Sequence, residues 1–168
     1  MLDKELLLQL EAYIEKYLDR LDFALQEPIG YFERSVCDSV QQTELEDFIS
    51  NNRKPTFSQV LFSFIDKKEA IDSDVYKKAG IDRRHFSKIR SNPNYQPSKS
   101  TVLSLALALK LSKKETVKLL TSAGYSFSDS DTFDLVIKFF LERGIYDMNQ
   151  INLALDHFSL KPIAGVLE

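Results

Sequence analysis

The sequence predicts an all-α fold, and two observations support that prediction. Apolar residues recur at spacings of three and four along most of the chain, which is the period of a helix with one buried face. The same stretches carry helix start and stop signals, because capping residues precede the apolar runs and glycines follow them. Almost no stretch between these signals shows the strict alternation of a half-buried strand.

The first predicted helix covers about residues 3–26 and ends before Pro28. Its apolar residues form a heptad-like stripe that consists of Leu7, Leu10, Ile14, Tyr17, Leu21 and Ala24. About three heptads is the shortest run that supports a coiled coil. Two interpretations therefore stay open: the stripe packs on the chain's own core, or it is a dimer seam. The candidate dimerisation residues are Leu7, Leu10, Ile14, Tyr17 and Leu21.

The remaining helices are predicted from their ends. Residues 28–50 are helical but less periodic, and residues 51–55 are predicted to be a linker. Two capping boxes are predicted, Thr56 with Gln59 and Ser112 with Glu115. The other predicted N-caps are Asp72 or Ser73, Asp82, Ser98 and Asp147, and the predicted C-terminal stops are Gly80, Gly124 and Gly144. These signals divide the chain into an N-terminal helical segment (1–54), a central domain (55–123) and a C-terminal helical pair packed on the core (124–168).

Charge is unevenly distributed along the 168 residues, whose formal net charge is −3. Residues 1–66 carry a net charge of −7, residues 67–118 carry +8, and residues 119–168 carry −4. An acidic average does not exclude a polyanionic partner, because binding depends on the local patch. The centre of the chain is therefore where phosphate groups are expected to bind.

Several classes of function are disfavoured by what the sequence does not contain. Cys37 is a single cysteine, and His85 and His157 stand 72 positions apart without metal-ligand neighbours. The acidic residues from Asp129 to Asp134 fail the calcium-loop pattern, so helix capping explains them better. No phosphate-binding glycine loop or nucleophile motif occurs. We therefore expect no enzyme, catalytic residue, metal or cofactor, and the absence of signal-peptide and membrane-span patterns predicts a cytoplasmic protein.

A tight turn at Ala79-Gly80-Ile81 separates two short predicted helices, and Gly80 suits it because glycine tolerates a positive φ. Residues 73–115 read SDVYKKAGIDRRHFSKIRSNPNYQPSKSTVLSLALALKLSKKE. This stretch resembles the Xre/Cro-repressor family of helix-turn-helix domains, by its small-Gly-Ile turn, its FSKI helix and its LALAL helix before a capping box. With the preceding helix, the resemblance covers about residues 56–123 and implies a five-helix Cro/repressor-like core with N-terminal and C-terminal helical extensions.

The resemblance implies a bacterial transcriptional regulator that binds double-stranded DNA, as a homodimer, with the helix at residues 82–90 in the major groove. If Phe86 and Ile89 face inward, the helical period turns Arg84, Ser87 and Lys88 outward. The candidates for base readout are Arg83, Arg84, His85 and Ser87. The candidates for phosphate contact are Lys77, Lys78, Lys88, Arg90, Asn94, Tyr95 and Lys99.

Departures from the family pattern keep other functions open. Asp72 and Asp74 stand where the family usually has a neutral phosphate-binding residue, and both would repel DNA if they faced it. Residues 55–160 also resemble a helical module attached to varied bacterial domains, some of them in defence or signalling systems. The alternative is accordingly a non-enzymatic adaptor in which the same fold binds a protein partner. RNA binding is a third hypothesis, although the chain lacks the aromatic strand surface that would favour it.

Overall fold

A computed structural model describes the backbone of residues 4–24 and 42–163, and within these residues all regular secondary structure is helical. The predicted all-α class is therefore confirmed. The helices are α1 (Lys4–Ala24), α2 (Gln42–Asn52), α3 (Phe57–Lys67), α4 (Asp72–Lys78), α5 (Arg83–Ser91), α6 (Lys99–Ala108), α7 (Lys113–Ser122), α8 (Thr132–Glu142) and α9 (Met148–His157). Cys37 and the side chain of Leu21 lie outside the described residues. None of the helices in these two ranges combines the length and apolarity that a membrane span requires.

Most predicted helix starts are confirmed. Both capping boxes form: the Thr56 and Ser112 hydroxyls accept from backbone N–H groups three residues on, and the Gln59 and Glu115 side chains accept in return. Ser98 caps α6 and Asp147 caps α9 in the same way, with side-chain oxygens that accept backbone N–H groups. These caps satisfy N–H groups that have no partner inside the helix, which is why local sequence defines where each helix begins.

The predicted cap of α4 is wrong. The N-cap residue is Ile71, which has no capping side chain, and neither Asp72 nor Ser73 serves in its place. The carboxylate of Asp72 instead forms an ion pair with Arg90 at the end of α5. Asp82 does occupy the N-cap position of α5, but its side chain makes no capping hydrogen bond.

The turn between α4 and α5 depends on Gly80. Its φ of +64° lies in the left-handed region, where a side chain would be strained. The N–H of Ile81 donates to the carbonyl of Tyr76 at 2.9 Å, and the N–H of Gly80 donates to the carbonyl of Lys77 at 3.1 Å. This pair of hydrogen bonds is a Schellman motif, which ends α4 and redirects the chain into α5.

One continuous cluster of buried apolar side chains extends from Leu10 in α1 to Ile163 beyond α9. Helix α8 lies at its centre, with every residue from Leu135 to Leu141 buried. The three segments predicted from the sequence thus share a single core. The N-terminal stripe packs on the chain's own core, because Leu10 and Ile14 are buried and α1 packs along α8. Leu10 and Ile14 are consequently not available as a dimer seam in this arrangement.

Candidate nucleic-acid interface

Helix α5 is fixed to the core by two side chains. Phe86 is 4% exposed and Ile89 is fully buried, as their spacing of three predicts for one helix face. The Phe86 ring packs edge-on against Phe62 of α3, with centroids 5.8 Å apart, and lies 5.6 Å from the ring of Tyr76 in α4. These contacts determine the rotation of α5 about its own axis and hence which residues point outward.

The outward side of α5 is basic. We call Arg83, Arg84, Ser87 and Lys88 the α5 face; all four side chains are exposed. No ion pair or hydrogen bond from another described residue engages the guanidinium groups of Arg83 and Arg84. Both arginines stand in the first turn of α5, directly after the Gly80 turn, so their charge is open to solvent.

The loop after α5 supports this face from one side. The hydroxyl of Tyr95 lies 3.0 Å from Nε2 of His85, and the two half-buried rings meet edge-on. The ammonium of Lys88 lies over the Tyr95 ring, 4.7 Å from its centroid, in cation–π geometry. Two residues predicted to contact DNA independently, His85 and Tyr95, are therefore partners of each other. Tyr95 orients neighbouring side chains as well as bordering the surface.

Arg90 differs from the other arginines of α5 because its charge is engaged within the chain. Its guanidinium pairs with the Asp72 carboxylate and stacks on the Phe62 ring, 4.3 Å from the centroid. The same ion pair neutralises Asp72, one of the two carboxylates expected to repel DNA. Arg90 in this structure links α5 to α4 and α3, and its predicted phosphate contact would require the ion pair to open.

Lys99 is also engaged within the chain. Its ammonium pairs with Asp134 of α8, whose side chain is completely buried and also accepts the backbone N–H of Ser128 at 2.6 Å. Separating the pair would leave a buried carboxylate without its cation, which is costly. The phosphate contact predicted for Lys99 is thus disfavoured in this arrangement, where the residue joins α6 to α8.

The other predicted phosphate ligands lie at the borders of the α5 face. Lys77 and Lys78 are exposed at the end of α4, and Asn94 is exposed in the loop that Tyr95 closes. The Asn94 N–H donates to the side chain of Asn92 at 3.1 Å, which fixes the loop locally. The structure therefore brings together the end of α4, the outer side of α5 and the following loop, while Arg90 and Lys99 are turned to internal partners.

Sequence reasoning missed the aromatic support beneath this surface. No sequence pattern singled out Phe62 or Tyr76, yet both rings pack against Phe86, and the Phe62 ring also contacts the Arg90 guanidinium. The available signal was the helical phase of Phe62, which lies beside the buried stripe of α3 rather than within it.

The structure also shows no group of three or more His, Cys, Asp or Glu side chains placed to hold a metal, as far as the described residues extend.

Comparisons with protein-family models, with curated proteins and with solved structures find no match to this chain. The resemblance to Xre/Cro-type domains stays a prediction from the sequence.

Proposed function

We propose that the chain binds double-stranded DNA through the α5 face, as a helix-turn-helix domain of the Xre/Cro type formed by α3 to α7. The observation that supports this proposal most strongly is the burial of Phe86 and Ile89, at 4% and 0% exposure. Because those two side chains face the core, Arg83, Arg84 and Lys88 face solvent on a short helix that follows a tight turn.

The chemistry of the α5 face suits the major groove. An arginine can donate two hydrogen bonds to O6 and N7 of one guanine, so Arg84 and Arg83 are the proposed base-reading residues. The hydroxyl of Ser87 suits either a base edge or a phosphate. Lys77, Lys78 and Lys88 border the same surface and suit the phosphates that position a protein on the duplex. Electrostatic binding of this kind weakens steeply as salt is raised.

A second candidate function is supported by the ion pairs of Arg90 with Asp72 and of Lys99 with Asp134. On a surface that binds phosphate, these two cations would be expected to face solvent without a carboxylate partner. An adaptor that binds a protein does not require unpaired cations at these positions. The smaller basic surface that remains could equally face an acidic protein partner. Measuring whether the wild-type chain binds a DNA duplex distinguishes the two functions.

The test compares two double variants with the same charge change. Arg83→Ala/Arg84→Ala removes two cations from the α5 face, and Lys4→Ala/Lys16→Ala removes two exposed lysines from α1, which packs on α8. Binding to labelled duplexes of random sequence is followed by fluorescence anisotropy at two salt concentrations. The arginine variant should bind several-fold more weakly and show a shallower salt dependence, since on random sequence two fewer cations near the phosphates release fewer counterions. The lysine variant should remain close to wild type.

Two results would contradict the DNA-binding proposal. Equal affinities for the arginine variant and the wild type would show that the α5 face does not contact the duplex. Absence of wild-type binding even at low salt would favour the adaptor, because phosphate contacts are strongest under that condition.

A further inference from the structure

No helix packs extensively on α2 among the described residues. Every side chain from Thr43 to Asn52 is exposed, including Leu45 at 50%, Phe48 at 65% and Ile49 at 50%. The spacing of these three residues places them on one face of the helix. An isolated helix of fewer than about 12–15 residues is marginal in water, and α2 has 11. A helix this short that exposes an apolar face is expected to form in contact with something else.

The apolar face of α2 is flanked by carboxylates. At 100° per residue, Glu44 and Glu46 lie on either side of the stripe and Asp47 lies behind it. The helix contains no lysine or arginine, so its net charge is −3. We call Gln42–Asn52 the α2 arm. Its partner should therefore offer an apolar cleft with basic side chains at the rim.

Such a cleft lies between α3 and α7. It has a volume of about 490 Å³ and is lined by Lys54, Pro55, Thr56, Val60, Lys118, Thr121 and Ser122. We call it the α3/α7 cleft. Two of its lining residues are lysines and none is acidic, so its charge is opposite to that of the α2 arm.

The outer face of α7 extends the cleft by one helical turn. Lys114, Val117, Lys118 and Thr121 are all exposed, and Val117 is exposed to 43%. Their spacing of three, four and seven matches that of Leu45, Phe48, Ile49 and Asn52 in the arm, so the two helix faces have equal length. The face of α7 carries lysines around Val117, and the face of the α2 arm carries carboxylates around its apolar residues.

We propose that the α2 arm docks in the α3/α7 cleft of a second copy of this chain, and that the exchange is reciprocal. The arm ends at Asn52 and the cleft begins at Lys54, so a two-fold axis near this junction brings each arm to the other copy's cleft. A two-fold interface of this kind is self-complementary and closed. Direct packing of one arm on the other is disfavoured, because it would bring two helices of net charge −3 together.

Charge reversal of each surface tests the proposal on the full chain. The arm variant is Glu44→Lys/Glu46→Lys, and the cleft variant is Lys114→Glu/Lys118→Glu; all four positions are exposed. Sedimentation velocity should show the wild type as a dimer and each variant as a monomer. When the two monomeric variants are mixed, a dimer should form again, because in the mixed pair both arm–cleft contacts join opposite charges.

Each alternative gives a different result. A monomeric wild type overturns the proposal. A cleft variant that stays dimeric shows that the arms pack on each other or that another surface is used. A mixture that stays monomeric, beside a dimeric wild type, shows that the arm and the cleft do not contact each other. The control Lys4→Glu/Lys16→Glu makes the same charge change as the cleft variant, but on α1, and should remain dimeric. Circular dichroism should show equal helix content in all variants. No nucleic acid enters the experiment, so its outcome is independent of DNA binding.

Discussion

At the scale of single residues, the arginines of α5 divide into two groups by their surroundings. Arg83 and Arg84 in the first turn have no ion-pair partner in the described parts of the chain. Arg90, in the last turn, lies against Phe62 and Asp72. The difference arises because Arg90 stands next to Ile89 in the last turn of α5, where α3 and α4 are within reach. The same side-chain type thus serves as a candidate DNA ligand at one end of the helix and as a link to neighbouring helices at the other.

Opening the Arg90–Asp72 ion pair should strengthen DNA binding. Asp72→Asn removes a carboxylate beside the α5 face and releases the Arg90 guanidinium for phosphate, so affinity for a duplex should rise a few-fold at low salt. Stability should change little, because exposed ion pairs contribute about 0–1 kcal/mol. Asp156→Asn on α9 is the matched control, with the same charge change at an exposed position. Equal gains in the two variants would show that only net charge matters.

The orientation of α5 could be predicted from the sequence, whereas several of its partners could not. Phe86 and Ile89 repeat at helical spacing, and that pattern alone indicated which residues face outward. The pairing of Asp72 with Arg90 joins residues 18 positions apart. It depends on how α4 and α5 cross, which no local pattern encodes. Asp72 also has the right chemistry for an N-cap, and tertiary contact determined its actual use.

At the scale of elements, capping chemistry determines where the helices begin, and α7 shows its electrostatic consequence. The Glu115 carboxylate accepts the backbone N–H of Ser112 at 3.0 Å and pairs with Lys67 of α3 at 3.1 Å. The hydrogen bond from Ser112 is the larger cause and the Lys67 ammonium the next, and together they lower the pKa of Glu115 from 4.5 to about 2. The Glu115 carboxylate thus takes part both in the capping box and in an ion pair between α7 and α3.

Stability that depends on Glu115 should be lost in acid. Because the folded-state pKa is depressed, the ionised carboxylate stabilises the fold fully above pH 4.5 and progressively less as pH falls to about 2. Glu115→Ala removes the hydrogen bond to the Ser112 N–H and should cost about 0.5–1.5 kcal/mol near neutral pH. The difference in unfolding free energy between variant and wild type should shrink as pH falls through that range. Urea unfolding at several pH values measures this difference in stability. The control Glu15→Ala, at an exposed position in α1, should show no such closing; a constant gap for Glu115→Ala would contradict the assignment.

Helix positions were predictable because their signals are local, but the destinations of α1 and α2 were not. A stripe repeating at three and four fits a core helix and a dimer seam equally well, and only the contact with α8 decides for α1. Helix α2 shows the reverse case: its weaker periodicity obscured a stripe of Leu45, Phe48 and Ile49, which no described residue covers. Contacts between residues far apart in sequence determine both the packing of α1 on α8 and the exposure of the α2 stripe.

At the scale of the whole molecule, the segregation of charge along the sequence is only partly retained in space. The acidic flanks contribute Asp134 and Glu142 of α8, which pair with Lys99 and Lys113 and so neutralise part of the basic centre. The α5 face is the part of that centre where arginines stay open, since no carboxylate of α1, α8 or α9 pairs with them in the described structure. The remaining positive charge is divided between the α5 face and the outer face of α7, where Lys114 and Lys118 are exposed.

The most direct test of the central claim is to map which backbone amides a duplex protects. Hydrogen–deuterium exchange of the full chain, with and without a random-sequence DNA duplex at low salt, reports this without any substitution. The account predicts slower exchange in residues 83–96, which include α5 and the loop that Tyr95 closes, and unchanged exchange in α8 and α9. Unchanged exchange in residues 83–96, with or without protection elsewhere, would contradict the claim that the α5 face binds DNA.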